Sequence, residues 1–147
     1  MRVVIGNDHA GFSAKAAVTA ALRNLGIEPI DRGTDSDAPV DFPVISRNVC
    51  SAIQEGLADR AILVCGTGVG ASMAANRIPG IRAFVGHDTY SARQAVEHDD
   101  ANVMCLGAWI IGPELMRLSI EAFLSAEFST SEEFRRRVGM LAEMEKR

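Results

Sequence analysis

The feature that most constrains this chain is a short apolar run, Ala61-Ile62-Leu63-Val64, that delivers a thiol, Cys65, straight into the turn Gly66-Thr67-Gly68-Val69-Gly70. An apolar run bounded by a glycine turn fits a strand buried on both faces, and such strands belong to parallel sheets covered by helices. Backbone N–H groups in a turn of this kind can face a bound anion, and the start of the following helix favours negative charge. The same field would stabilise a thiolate. A base and an anion cradle thus share six residues.

Short apolar runs alternate with amphipathic segments through the rest of the chain. The pattern predicts strands at 3–5, 27–30, 61–64, 81–85 and 102–106. Between and after them it predicts helices over 12–25, with Gly26 at the stop, from Pro43 to about Gly56, from the glycine turn to about 77, and over 90–97 and 112–124. Ser129-Thr130-Ser131-Glu132 reads as a capping box opening a last helix that bears Phe134, Val138 and Leu141. The 147 residues suit one α/β domain, 1–147, with a five-stranded parallel sheet and no repeat or linker.

In open sheets of this type ligands bind beyond the carboxyl ends of the strands. Three segments are nominated for that edge: Asn7-Asp8-His9-Ala10-Gly11, Cys65 to Gly70, and Gly86-His87-Asp88. Asp8-His9 read alone is equally a helix-start turn, and His87-Asp88 reads as a polar loop. His98, in Glu97-His98-Asp99-Asp100, is by itself an ordinary helix-end histidine.

Several chemistries are excluded. A formal net charge of −4 gives no case for nucleic acid or an anionic membrane, and no stretch approaches the ~18 apolar residues of a membrane span. Three widely spaced cysteines (Cys50, Cys65, Cys105) argue against a disulfide framework or zinc site and for a reducing, cytoplasmic setting, with no secretory signal at the start. Cys50 and Cys105 read as inert packing. No metal-ligand spacing occurs, so no metal or other cofactor is expected. The glycine turn lacks the Lys-Ser/Thr of a nucleotide-binding loop, and Ala71 stands where a cysteine phosphatase needs arginine. A phosphocysteine carrier stays open on loop logic, as does a non-catalytic sugar-phosphate binder.

Together, Gly6-Asn7-Asp8-His9-Ala10-Gly11, Cys65-Gly66-Thr67-Gly68-Val69-Gly70, Ala74-Ala75-Asn76-Arg77 and Tyr90-Ser91-Ala92 through His98 to Asn102 resemble the ribose-5-phosphate isomerase type B / galactose-6-phosphate isomerase family, nearly end to end. The resemblance implies a Rossmann-like three-layer sandwich, with a C-terminal helix making dimer contacts. It also implies aldose–ketose isomerisation of a sugar phosphate through a cis-enediolate, without metal. By similarity Cys65 is the proton-transfer base, Thr67 and the N–H groups of Gly68, Val69 and Gly70 steady the enediolate, His98 opens the sugar ring, and Asp8 meets substrate hydroxyls or orients the thiol. Gly66, His9, Asp99, Arg137 and Trp109 line the substrate. Family sites form between two subunits, which implies a homodimer or a tetramer of such dimers. Since all these groups are present, one kind of chain should suffice.

Four positions depart from the family pattern. Gly107-Ala108-Trp109 replaces a segment that commonly ends in a phosphate-binding arginine. Glu133-Phe134-Arg135-Arg136-Arg137 keeps only the last arginine of Arg-His-x-x-Arg. Asp99 stands for asparagine, and Phe42 for tyrosine. Charge-assisted hydrogen bonds to phosphate contribute about 1.5–3 kcal/mol each, so these changes point to an altered substrate, either a shorter phosphosugar or an unphosphorylated sugar stacked on Trp109.

Overall fold

The computed structural model describes residues 1–146, and its frame is set by alternation in the strands. In the central strand β3 (Arg60–Cys65), Ile62 and Val64 face one core while Ala61, Leu63 and Cys65 face the other. The strand is apolar on both sides because helices cover both. β1 (Val3–Asn7) and β5 (Val103–Gly107) flank it in parallel, with β2 (Ile30–Asp31) and β4 (Ala83–Val85) as edges, giving the order β2-β1-β3-β5-β4. One core is built on α1 (Lys15–Asn24), α4 (Thr89–Asp99) and α5 (Pro113–Ser125); α2 (Phe42–Gln54) and α3 (Val69–Ala75) cover the other. A final helix, α6 (Glu132–Met144), lies against α4 and buries none of its residues completely.

The departures from expectation have local causes. A single 3-10 turn, Phe12–Ala14, precedes α1. Gly26, at φ +75°, stops that helix as expected, with its N–H donating to the Arg23 carbonyl and that of Ile27 to the Leu22 carbonyl. The second strand begins three residues later than predicted, because Pro29 has no N–H to give a ladder and Ile27 packs into the core instead. α3 closes at Ala75, two residues early, and β4 is confined to 83–85. The capping box does not form. Ser131 is the N-cap of α6 and makes no side-chain cap bond, while the Ser129 hydroxyl accepts from the Ser131 N–H at 3.1 Å.

The long loop after β2 is tied down beside the carboxyl edge. Asn7 Nδ2 donates to the Thr34 carbonyl, the Thr34 N–H donates to the Asn7 carbonyl, and Lys15 Nζ pairs with Asp31 at 2.6 Å and Asp35 at 2.7 Å. That anchoring brings the end of the loop, and Phe42 behind it, over the site.

Candidate active site

At the carboxyl edge the backbone crowds together, and glycines are what permit it. Cys65 is 7% exposed, and its Sγ accepts the Gly68 N–H at 3.0 Å. This closure requires Gly68 at φ +81°, a left-handed conformation that a side chain disfavours. The loop after β1 lies directly on the strand-end peptide: the Asp8 N–H donates to the Val64 carbonyl at 3.2 Å, and a Cβ on Gly11 would fall 2.1 Å from that same oxygen. Asp8, 6% exposed, accepts the Gly11 N–H through Oδ1 at 2.9 Å. The turn reading of Asp8 therefore holds for one oxygen, and Oδ2 has no protein partner among the described residues.

His9 is exposed beside it. Its Nδ1 accepts the Val40 N–H at 3.2 Å, which puts the ring proton of the neutral form on Nε2. Thr67 and Val69 are exposed at the mouth, and Phe42 approaches Gly70 closely enough that a Cβ there would lie 3.3 Å from its ring. Trp109, 73% exposed, lies on Gly66, where a Cβ would meet its ring at 2.6 Å. The Trp109 N–H donates to the Gly66 carbonyl and that of Ala108 to the Cys65 carbonyl. Asp8, His9, Gly66, Thr67, Gly68, Val69, Gly70, Cys65 and Trp109 thus share one site.

His98, Asp99 and Arg137 do not join them within one protomer. α4 starts at the carboxyl edge and runs back, so His98 and Asp99 sit at the amino end of the sheet. β3 is six residues long, which at ~3.3 Å per residue separates the two ends by on the order of 15–20 Å. Here the His98 ring stacks on Phe134, centroids 4.0 Å apart and planes 13° from parallel. Arg137 is paired with Glu133 on the same helix. Asp99 is exposed, and Asp100, the only non-glycine residue at positive φ among those described, is held at φ 50° by Arg82.

Two residues of the third nominated segment, read from the sequence as a polar loop, have definite structural contacts. Asp88 is the N-cap of α4, accepting the Ser91 N–H at 2.7 Å and its hydroxyl at 2.6 Å, which holds its carboxyl below the usual range. The signal was there in Asp88-Thr89-Tyr90-Ser91, an acidic cap directly before a helix. His87 Nε2 accepts the Gly107 N–H at 2.9 Å. No local pattern announces that contact, which spans twenty residues.

The other two thiols are silent. Cys50 and Cys105 are fully buried; burial pushes the first up to about 12 and the second well above its ordinary value. Among the described residues no group of three or more His, Cys, Asp or Glu side chains is placed to hold a metal ion. Nor, among the described residues, is any helix long and apolar enough to cross a membrane.

A thiolate held by a backbone donor, next to a carboxylate, a hydroxyl and a helix start whose Gly70 N–H has no helical acceptor, can take a proton from carbon and steady the resulting oxyanion. The protein named ribose-5-phosphate isomerase B from Escherichia coli K12 is 41% identical over 127 residues, covering 86% of this chain and 85% of that protein. The D-erythrulose-4-phosphate isomerase of Pectobacterium atrosepticum is 40% identical, covering 87% and 85%. The solved ribose-5-phosphate isomerase B of Clostridium thermocellum superposes with a TM-score of 0.95 at 41% identity, over 99% of this chain and 98% of that one. The family described as Ribose/Galactose Isomerase matches residues 3–141, and this chain belongs to it.

Proposed function

We propose that the protein is an aldose–ketose isomerase acting on a short sugar phosphate, or a related sugar, through a cis-enediolate with Cys65 as the base. The observation that carries this reading is the Gly68 N–H donating to Cys65 Sγ at 3.0 Å, beside the half-used carboxylate of Asp8. The thiolate moves a proton between C1 and C2. The Gly68 N–H is committed to the sulfur and the Val69 N–H donates to Thr67 Oγ1 at 3.4 Å, so the enediolate oxygen falls to the Thr67 hydroxyl and the first-turn N–H of Gly70, which has no helical acceptor, with the Val69 N–H orienting the hydroxyl. Asp8 and His9 meet the substrate hydroxyls.

Ring opening by His98 then needs a second copy of the chain. With His98, Asp99 and Arg137 at the far end of the sheet, the partner's amino end must meet this carboxyl end. α6 suits that contact: Met140, Leu141 and Met144 are exposed on it, and apolar side chains left open in a row mark an interface. The substrate's distal group meets Trp109 and an arginine already neutralised by Glu133, which favours a small or weakly charged end over a long phosphosugar. Relatives near 40% identity act, by name, on five-carbon and four-carbon phosphosugars, so identity alone does not choose between them.

The test is a panel of ribose 5-phosphate, tetrose phosphates and unphosphorylated sugars, read by solvent-deuterium incorporation at C2. Exchange fastest on a tetrose phosphate or a free sugar is expected. Full efficiency on ribose 5-phosphate would remove the altered-substrate part, and no exchange on any member would remove the isomerase itself. A phosphocysteine carrier would instead accept labile phosphate on Cys65.

A further inference from the structure

We propose that His87 is a positioning residue for this reaction: its imidazole braces, from outside, the turn whose inner side forms the Cys65–Thr67 cradle. The proposal rests on the isomerase reading above. β4 ends at Val85, and its final rung to β5 is the Gly86 N–H on the Cys105 carbonyl at 3.0 Å. In a parallel ladder the next rung would have the Gly107 N–H donating to the carbonyl of Gly86. That rung is replaced by the His87 side chain, whose Nε2 takes the Gly107 N–H at 2.9 Å.

Gly107 has no slack on its other side. A Cβ there would lie 2.7 Å from the Thr67 carbonyl carbon and 2.8 Å from the Thr67 Cα. The next two residues, Ala108 and Trp109, donate to the Cys65 and Gly66 carbonyls at 2.9 and 3.0 Å. One imidazole nitrogen therefore ends a continuous chain of contacts that reaches the base, the oxyanion turn and Trp109. An acceptor nitrogen must be unprotonated, so the ring proton sits on Nδ1. Partial burial favours the neutral ring. The opposing charge is that of Asp88, whose carboxylate is occupied by Ser91. His87 touches no reacting atom in this account; it acts through Gly107.

The test compares His87→Gln, which keeps an acceptor at similar reach, with His87→Phe, which keeps a ring and loses the acceptor. His87→Phe should lower kcat by roughly tenfold with little change in KM, the loss of one buried hydrogen bond reaching a positioned site, and His87→Gln should restore most of it. The emission of Trp109, the sole tryptophan, should shift in His87→Phe and return in His87→Gln. A His87→Phe enzyme with kcat within twofold of wild type, or a Gln variant as slow as Phe, would overturn the proposal. If His87→Phe fails to fold, His87→Asn, too short to reach Gly107, takes its place with the same expectation. If the wild type exchanges no substrate proton, the isomerase reading fails instead, and the Trp109 emission series still decides whether the brace exists.

Discussion

The two ends of the sheet are built from different materials. The carboxyl end is made by main chain: three loops pressed together with Cβ clearances as low as 2.1 Å, and a thiol held by a peptide N–H. The amino end is made by side chains on helix surfaces, His98 on Phe134 and Arg137 on Glu133, which lean on one another. The first end resists change, because a peptide cannot be re-aimed without moving a strand. The second is free to vary, since one substitution on an exposed helix costs little stability. On the proposed mechanism proton transfer belongs to the rigid end, and the variable end of a partner supplies ring opening and part of the contact with the distal group.

The sharpest break comes from removing the base. Cys65→Ala should lower solvent-proton exchange by about 10³-fold or more while leaving sugar binding measurable by calorimetry. Residual exchange near the wild-type rate would move the base elsewhere. Next is the crowding itself. Gly11→Ala drives a methyl into the Val64 carbonyl and should cost about 2–3 kcal/mol, read from urea unfolding, whereas Gly139→Ala on α6, where a Cβ meets nothing, should not destabilise. Equal effects would mean that the carboxyl end is not the rigid one.

At the mouth of the pocket, where an exposed side chain lies on the rigid turn, Trp109→Arg should raise kcat/KM for a phosphorylated sugar over its free counterpart by about tenfold, through a charge-assisted hydrogen bond. An unchanged ratio would place the distal group away from Trp109. The smallest effect expected is on pH. His87 is held below its ordinary value of 6.5 by burial, so the unfolded chain takes up its proton first. Its contribution is present above about pH 6.5 and is lost as pH falls through the folded value. Stability should therefore slope gently downward on acidification from pH 6.5, and His87→Gln should flatten that slope.

What could be read from the sequence follows the same division. The Cys65 turn, the Asp8 loop and the five strands were legible because each is a local pattern, apolar runs ending in glycine. Pro29 shortened β2 by a rule that is equally local but competes with the apolar residues around it. The pairing of His98 with Phe134 was hidden, because thirty-six residues separate them and the apolar period that carries Phe134 does not say which element its helix packs on. The contact of His87 with Gly107 was hidden for the same reason, and the expectation of a site shared between two subunits came only through the family resemblance.

The central claim, that one end of each chain works with the other end of its partner, has a direct measurement. Cys65→Ala and His98→Ala variants, each inactive alone on a ring-forming substrate such as ribose 5-phosphate, are co-assembled in equal amounts and assayed on that substrate. If the site is shared, every mixed dimer holds one intact site, and activity should return to about a quarter of wild type. A mixture as dead as its components would contradict the account, since it would mean that Cys65 and His98 serve within a single chain.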